Sequence, residues 1–180
     1  MVSSGLEHEP GSLTMRVRSF EPISDASSRV LILGSMPGKA SLRANQYYAH
    51  PQNAFWRILS EFLEVPADAP YEQRVAGLIR NRLAIWDVLR SCTRESSLDS
   101  DIVEASIVPN DLASFLSEHP ELSTICFNGA KAEACYRRYV LPSLPERNLA
   151  CHRLPSTSPA NASIPYPKKL AAWKIVSEAA

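Results

Sequence analysis

The chain alternates short apolar runs with longer stretches in which apolar residues recur every three or four positions. Residues 30–33, 83–89 and 122–127 are the apolar runs, and residues 148–154 form a weaker one, broken by His152 and Arg153. Short, nearly continuous apolar runs bounded by turn formers are the pattern of strands buried on both faces. Between them, Phe55, Ile58, Leu59 and Phe62 fall at i, i+3, i+4 and i+7, which predicts a helix over 54–63. Tyr71, Val75, Leu78 and Ile79 make one face of a second helix over 71–81. A third is expected over 109–119, with Pro109 suited to its first turn. A fourth, over 130–139, has Ala132, Cys135, Tyr136 and Tyr139 on its face, and a last one over 166–178 presents Leu170, Trp173 and Val176. Strands alternating with helices predict an α/β fold: a mostly parallel four-stranded sheet with helices on both faces. Residues 1–19 are polar and read as a disordered tail, leaving 20–180 as a single domain.

The first strand runs directly into Gly34-Ser35-Met36-Pro37-Gly38, and a polar, aromatic segment, Tyr47-Tyr48-Ala49-His50-Pro51-Gln52-Asn53, precedes the first long helix. In an open parallel sheet, ligands bind at the carboxyl ends of the strands, so these two loops mark a candidate site. The glycine turn offers backbone N–H groups to an anion or a developing oxyanion, or it is a purely structural turn. It is not a phosphate-binding P-loop, because no GxxxxGK[ST] is present. Tyr47 and Tyr48 offer a stacking platform for a base or sugar, with at least one expected to pack on the core. Asn53 is placed to cap the helix that follows, and its amide could also hold a water or a substrate group. Asp87 is a lone carboxylate near the end of the second strand; it either serves the site, caps a turn, or pairs with Arg90 or Arg94. After the fourth strand, Pro155-Ser156-Thr157-Ser158-Pro159-Ala160-Asn161 is dense in hydroxyls, with Arg153 before it and Lys168-Lys169 after. Hydroxyls and backbone N–H groups are common phosphate contacts. A serine hydrolase is excluded by the lack of a GxSxG elbow. Residues 90–108 are polar and irregular, and a connection of that length is often functional.

Formal net charge is zero, but its distribution is uneven. Residues 95–130 contain seven acidic residues and no Lys or Arg; residues 131–174 contain eight Lys or Arg and two Glu. A neutral protein with one basic face can still bind a phosphate backbone, which responds to local charge. No apolar run approaches the roughly 20 residues of a membrane helix, and no signal peptide is evident. Cys92, Cys126, Cys135 and Cys151 form no CxxC pair, so reduced, buried thiols in a cytoplasmic protein are expected. The four histidines are scattered, and neither a metal nor another cofactor is expected.

Three segments together, LILGSMPG, SLRANQYYAHPQNAFW and LPSTSPANAS, resemble the uracil-DNA glycosylase superfamily, and within it are most similar to the hypoxanthine (deoxyinosine) DNA glycosylase branch. The resemblance spans about residues 19–173. It implies an α/β/α sandwich around a four-stranded parallel sheet, and a cofactor-free, monofunctional glycosylase acting on DNA that contains a deaminated base. It implies that the base pocket is lined by Gly34, Ser35, Met36, Tyr48 and Asp87, with Tyr48 stacking on the flipped base. Asn53 is then catalytic, and Ser156, Thr157, Ser158 and Lys168 contact the strand. Many superfamily members carry Asp or Asn at the third position of the first motif; Met36 can neither position nor activate water there, which weighs against uracil. Asp87 accepts hydrogen bonds only, which favours hypoxanthine, with its N1–H donor, over adenine. A uracil or mismatch glycosylase of the same fold, a non-catalytic nucleic-acid-binding module and a small-molecule phosphate-binding enzyme are the alternatives. A monomer is expected.

Overall fold

The computed structural model describes residues 15–180. Its strands, in chain order, are β1 (Met15–Arg18), β2 (Val30–Gly34), β3 (Leu83–Asp87), β4 (Leu89–Arg94), β5 (Val108–Pro109), β6 (Thr124–Asn128) and β7 (Ala150–Leu154). The helices are α1 (Lys39–Ala44), α2 (Phe55–Leu63), α3 (Tyr71–Arg80), α4 (Leu112–Glu118), α5 (Ala130–Cys135), α6 (Tyr166–Trp173) and α7 (Ile175–Glu178). Four strands form the expected parallel sheet in the order β3-β2-β6-β7.

Alternation of side chains along β2 divides the core in two. Leu31 and Leu33 point to one face, where they join Ala84, Trp86, Ile125 and Phe127 under α4 and α5. Val30 and Ile32 point to the other, where they join Ile85 and Cys126 against α2, α3, α6 and α7. All of Val30–Leu33 is withdrawn from solvent, which explains why the run has no polar position. The result is a three-layer α/β/α sandwich.

A second sheet, antiparallel and in the order β1-β4-β5, was not expected from the apolar pattern. Its strands are polar or very short, and their pairing is between distant segments. Residues 15–18 therefore belong to a strand and not to a tail; the remainder of the expected tail lies outside the described residues. The run 83–89 is two elements. At Asp87 the parallel strand ends, Val88 N–H donates to Gly34 O (2.8 Å) and Leu89 N–H to Ser35 O (3.2 Å), and the chain turns into β4. Pro109 lies in β5 and does not open a helix; α4 begins at Leu112, where Asp111 accepts from Ser114 N–H at 3.0 Å as its cap. α5 widens after Cys135 into a π turn over Tyr136–Val140, and the C-terminal helix divides at Lys174. Cys151 is exposed, against expectation, because β7 is an edge strand. Cys92, Cys126 and Cys135 are buried.

Candidate active site

The carboxyl ends of β2, β3, β6 and β7 open into a cavity of about 810 Å3. Its floor is Gly34 to Gly38, with Asp87 beside it. One wall is Tyr47, Tyr48, His50 and Asn53, and the opposite wall is Asn128 with residues 153–161. The three segments singled out in the sequence thus surround one space. A fourth segment, Ser97 to Ser100, closes the remaining side and was not anticipated residue by residue. Its only sequence signal was the length and polarity of residues 90–108.

The two tyrosines have different surroundings. Tyr47 is a core residue: its hydroxyl donates to Glu21 O at 2.8 Å, and its carbonyl accepts from the Trp56 indole at 2.9 Å. Tyr48 sits at φ +54°, in the left-handed region that a bulky residue rarely occupies, and its ring stacks on Phe55 with centroids 3.9 Å apart. One ring face is therefore covered by protein. The Tyr48 hydroxyl is buried without a hydrogen-bond partner, with Asn128 close by. Burial, and after it the neighbouring Asp87, push its acidity far down.

Asp87 is 3% exposed, and its carboxyl makes neither a turn cap nor an ion pair with Arg90 or Arg94. Its backbone carbonyl accepts from the Asn110 amide at 2.7 Å. Burial raises the carboxyl from its ordinary 3.8 to about 7; Asp99 adds to the rise and Arg94 opposes it. Gly34 is required by this arrangement. A Cβ there would lie 2.5 Å from Asp87 Oδ1 and 3.0 Å from the Tyr48 hydroxyl, so only glycine lets both oxygens stand over the strand end.

Ser35 donates to Asp99 Oδ1 at 2.6 Å, which joins the glycine turn to the loop after β4. The Arg94 guanidinium is 3% exposed and donates through Nη2 to Pro37 O, holding the same turn from beneath. Its Nε and Nη1 have no partner, and burial lowers its basicity. Met36 is buried in the core beneath the floor as well as lining the cavity.

Asn53 does cap: its Oδ1 accepts from Phe55 N–H at 3.0 Å. That fixes the orientation of the carboxamide while the residue lines the cavity. Thr157 lines the cavity at only 1% exposure, held by partners within the protein. Asn128 Oδ1 accepts from Thr157 N–H and Asn128 Nδ2 donates to the Thr157 hydroxyl, both at 2.9 Å, and Thr157 O accepts from Ala54 N–H at 3.0 Å. Asn128, at the end of β6, thereby ties the serine loop to the start of α2. Ser156 and Ser158 remain partly open on the rim. Lys168 is exposed on α6 and is not part of the cavity lining. Arg153 does line it, with a guanidinium 59% exposed and 3.9 Å from Glu133.

The fold and this cavity define a recognisable class. Residues 21–177 match the model of the uracil DNA glycosylase superfamily, and the chain belongs to that family. Among individual proteins, it is 40% identical over 116 residues to the hypoxanthine DNA glycosylase of Methanosarcina acetivorans, covering 64% of this chain and 72% of that one. It is 37% identical over 119 residues to the hypoxanthine DNA glycosylase of Methanosarcina barkeri, covering 66% and 74%. A solution NMR structure from Methanosarcina acetivorans, assigned to the uracil DNA glycosylases, superposes with a TM-score of 0.76 at 33% identity, over 91% of this chain and 98% of that one.

Proposed function

We propose that the protein is a DNA repair glycosylase that takes a deaminated base, hypoxanthine in deoxyinosine, out of the duplex and hydrolyses its N-glycosidic bond to leave an abasic site. Family membership and the two hypoxanthine DNA glycosylase relatives support the activity. The observation that carries the preference for hypoxanthine over adenine is Asp87: a buried carboxyl with an unpartnered oxygen on the wall of a cavity large enough to admit a nucleobase.

The base enters with one face against the free face of Tyr48, so that Phe55, Tyr48 and base form a continuous stack. Ionised Asp87 accepts the N1–H of hypoxanthine. Adenine presents a bare acceptor at that position, and an acceptor facing an acceptor costs about 1–3 kcal/mol. Asn53 is the catalytic residue. Its carbonyl is held by Phe55 N–H, so its NH2 is fixed as a donor that orients a water toward C1′. The C1′–N9 bond breaks with the electron pair going to the base, as the water oxygen bonds to C1′ and releases a proton to solvent, and the base anion takes up a proton from solvent as it departs. Backbone N–H groups of the floor, Gly34 to Met36, stabilise charge developing on the departing base. With Met36 in place of a carboxylate, the rate comes from base extrusion and from stabilising the leaving base. Ser156, Ser158, Arg153 and Lys168 hold the backbone of the DNA, and Thr157 holds the loop that presents the serines. On this reading the protein acts as a cytoplasmic monomer. None of the helices among the described residues is long and apolar enough to cross a membrane.

Uracil also presents an N–H between carbonyls, so Asp87 does not exclude it. Duplexes bearing inosine, uracil or xanthine, incubated with the protein and treated with alkali to cleave abasic sites, test the assignment. Fastest cleavage at inosine is expected. Fastest cleavage at uracil would move the protein to the uracil and mismatch enzymes, and binding without cleavage at any lesion would refute catalysis.

A further inference from the structure

Reading the base through Asp87 creates a conflict of charge. When the C1′–N9 bond breaks, its electron pair flows into the purine, while the group that accepts N1–H is itself a carboxylate. Like charges withdrawn from water repel more strongly than in bulk solvent. Asp99, on the neighbouring loop, adds a third negative charge at the same cavity. A cation is needed to offset them. Lys39 and Arg153 line the cavity, but both are exposed and water screens them. Among the described residues, the cation whose charge acts on Asp87 is Arg94.

Arg94 ends β4, is almost wholly buried and does not line the cavity. A guanidinium so placed ordinarily pairs with a carboxylate, because an unpaired buried charge is costly. Here Nη2 donates to Pro37 O, and Nε and Nη1 are buried without a partner. The charges of Asp87, Asp99 and Asp101 reach it, yet it forms an ion pair with none of them. Its charge is not cancelled at contact and is left to act on what lies above the turn. The route is short. A trans peptide carries its N–H on the side opposite its C=O. Fixing Pro37 O against Arg94 therefore turns the Gly38 N–H the other way, and that N–H donates to no acceptor among the described residues. Pro37 and Gly38 both line the cavity.

We propose that Arg94 supplies the countercharge for the departing base: a positioning residue that touches no reacting atom and acts through the glycine turn and on Asp87. The proposal rests on the glycosylase reading for its substrate. Its signature is the dependence of rate on the leaving group. Duplexes carry either deoxyinosine or its 8-aza analogue. The analogue's base has the same N1–H edge and leaves more readily, because the extra ring nitrogen holds negative charge better. Single-turnover release of each base is measured with full-length wild type, with Arg94→Gln, which keeps a donor for Pro37 O without the charge, and with Arg94→Lys, which keeps the charge. In Arg94→Gln, loss of this electrostatic element slows release of hypoxanthine about 100-fold and of 8-azahypoxanthine about tenfold, so the ratio of 8-aza to hypoxanthine rates rises. In Arg94→Lys the ratio stays at the wild-type value. Equal losses on both bases in a normally melting Arg94→Gln protein overturn the proposal, because a turn that has merely loosened slows both alike. So does a ratio in Arg94→Lys as high as in Arg94→Gln. Wild type provides a second measurement that does not depend on Arg94→Gln folding: its ratio is smaller than that of the two free nucleosides hydrolysing in neutral water, since charge on the base is already offset. A ratio as large as in water overturns the proposal. Release of neither base by wild type would refute the glycosylase reading as well, whereas base release with the wrong ratios refutes the role of Arg94 alone.

Discussion

Replacing Asp87 by Asn preserves the shape of the side chain and removes its charge, and the structure dictates opposite effects on stability and activity. The folded protein raises this carboxyl from 3.8 to about 7, chiefly by burial. One pH unit of such a shift corresponds to about 1.4 kcal/mol, so ionised Asp87 disfavours folding by on the order of 4 kcal/mol at pH 8. Part of this is lost in the variant, because the buried Arg94 guanidinium no longer feels the negative charge of Asp87. A net gain of about 2 kcal/mol is expected, equivalent to a melting temperature higher by roughly 4–8 °C for a domain of this size. The pH dependence follows from the direction of the shift. Below the ordinary carboxyl pKa the group is neutral in folded and unfolded chains, and the two proteins are equally affected. As pH rises from about 4 to about 7 the unfolded chain ionises while the folded one resists. Wild-type stability therefore falls relative to Asp87→Asn across that window, and the gap is constant above it. Thermal or urea melts at pH 4, 6 and 8 measure this. Equal stabilities at pH 8, or a gap that closes as pH rises, would show that the carboxylate is compensated and the reasoning wrong. The same variant loses the charged acceptor for N1–H, so excision of hypoxanthine falls about tenfold. An unchanged preference for inosine over adenosine would refute the base-reading role.

Asn53→Ala abolishes most excision and also costs about 1 kcal/mol of helix stability through the lost cap. Asn53→Asp separates the two: its carboxylate still accepts from Phe55 N–H, so melting is near wild type, while the NH2 donor is gone and single-turnover cleavage of inosine DNA collapses. Full activity in Asn53→Asp would place the chemistry elsewhere. Asn128→Ala leaves the buried Thr157 N–H unpaired, at a cost of about 1–3 kcal/mol. It frees the serine loop, so DNA affinity by fluorescence anisotropy weakens more than the rate from the bound complex; an equal loss in both would argue against a role in loop placement.

The layered α/β class, the four parallel strands and the three loops at one sheet edge were legible in the sequence, because each rests on local information. An uninterrupted apolar run must be buried on both faces, as Val30–Leu33 is. A glycine turn at the end of such a run must lie where strand ends open. The partners within the site were not legible. The sequence left Asp87 free to serve the site, to cap or to pair with an arginine. Only the packing of Gly34 beneath it and the distance of Arg94 left its carboxyl unpartnered on the cavity wall. Likewise Thr157, one hydroxyl among several in the chain, is buried only because Asn128, 29 residues away in sequence, meets it with both ends of its amide. The antiparallel sheet and the placement of Ser97 to Ser100 at the cavity were decided by pairing between distant, mostly polar segments, β1 with β4 and Ser35 with Asp99. Hydrophobic periodicity records which face of an element is buried. It does not record which polar group another segment will bring to it, and in this protein that choice builds the site.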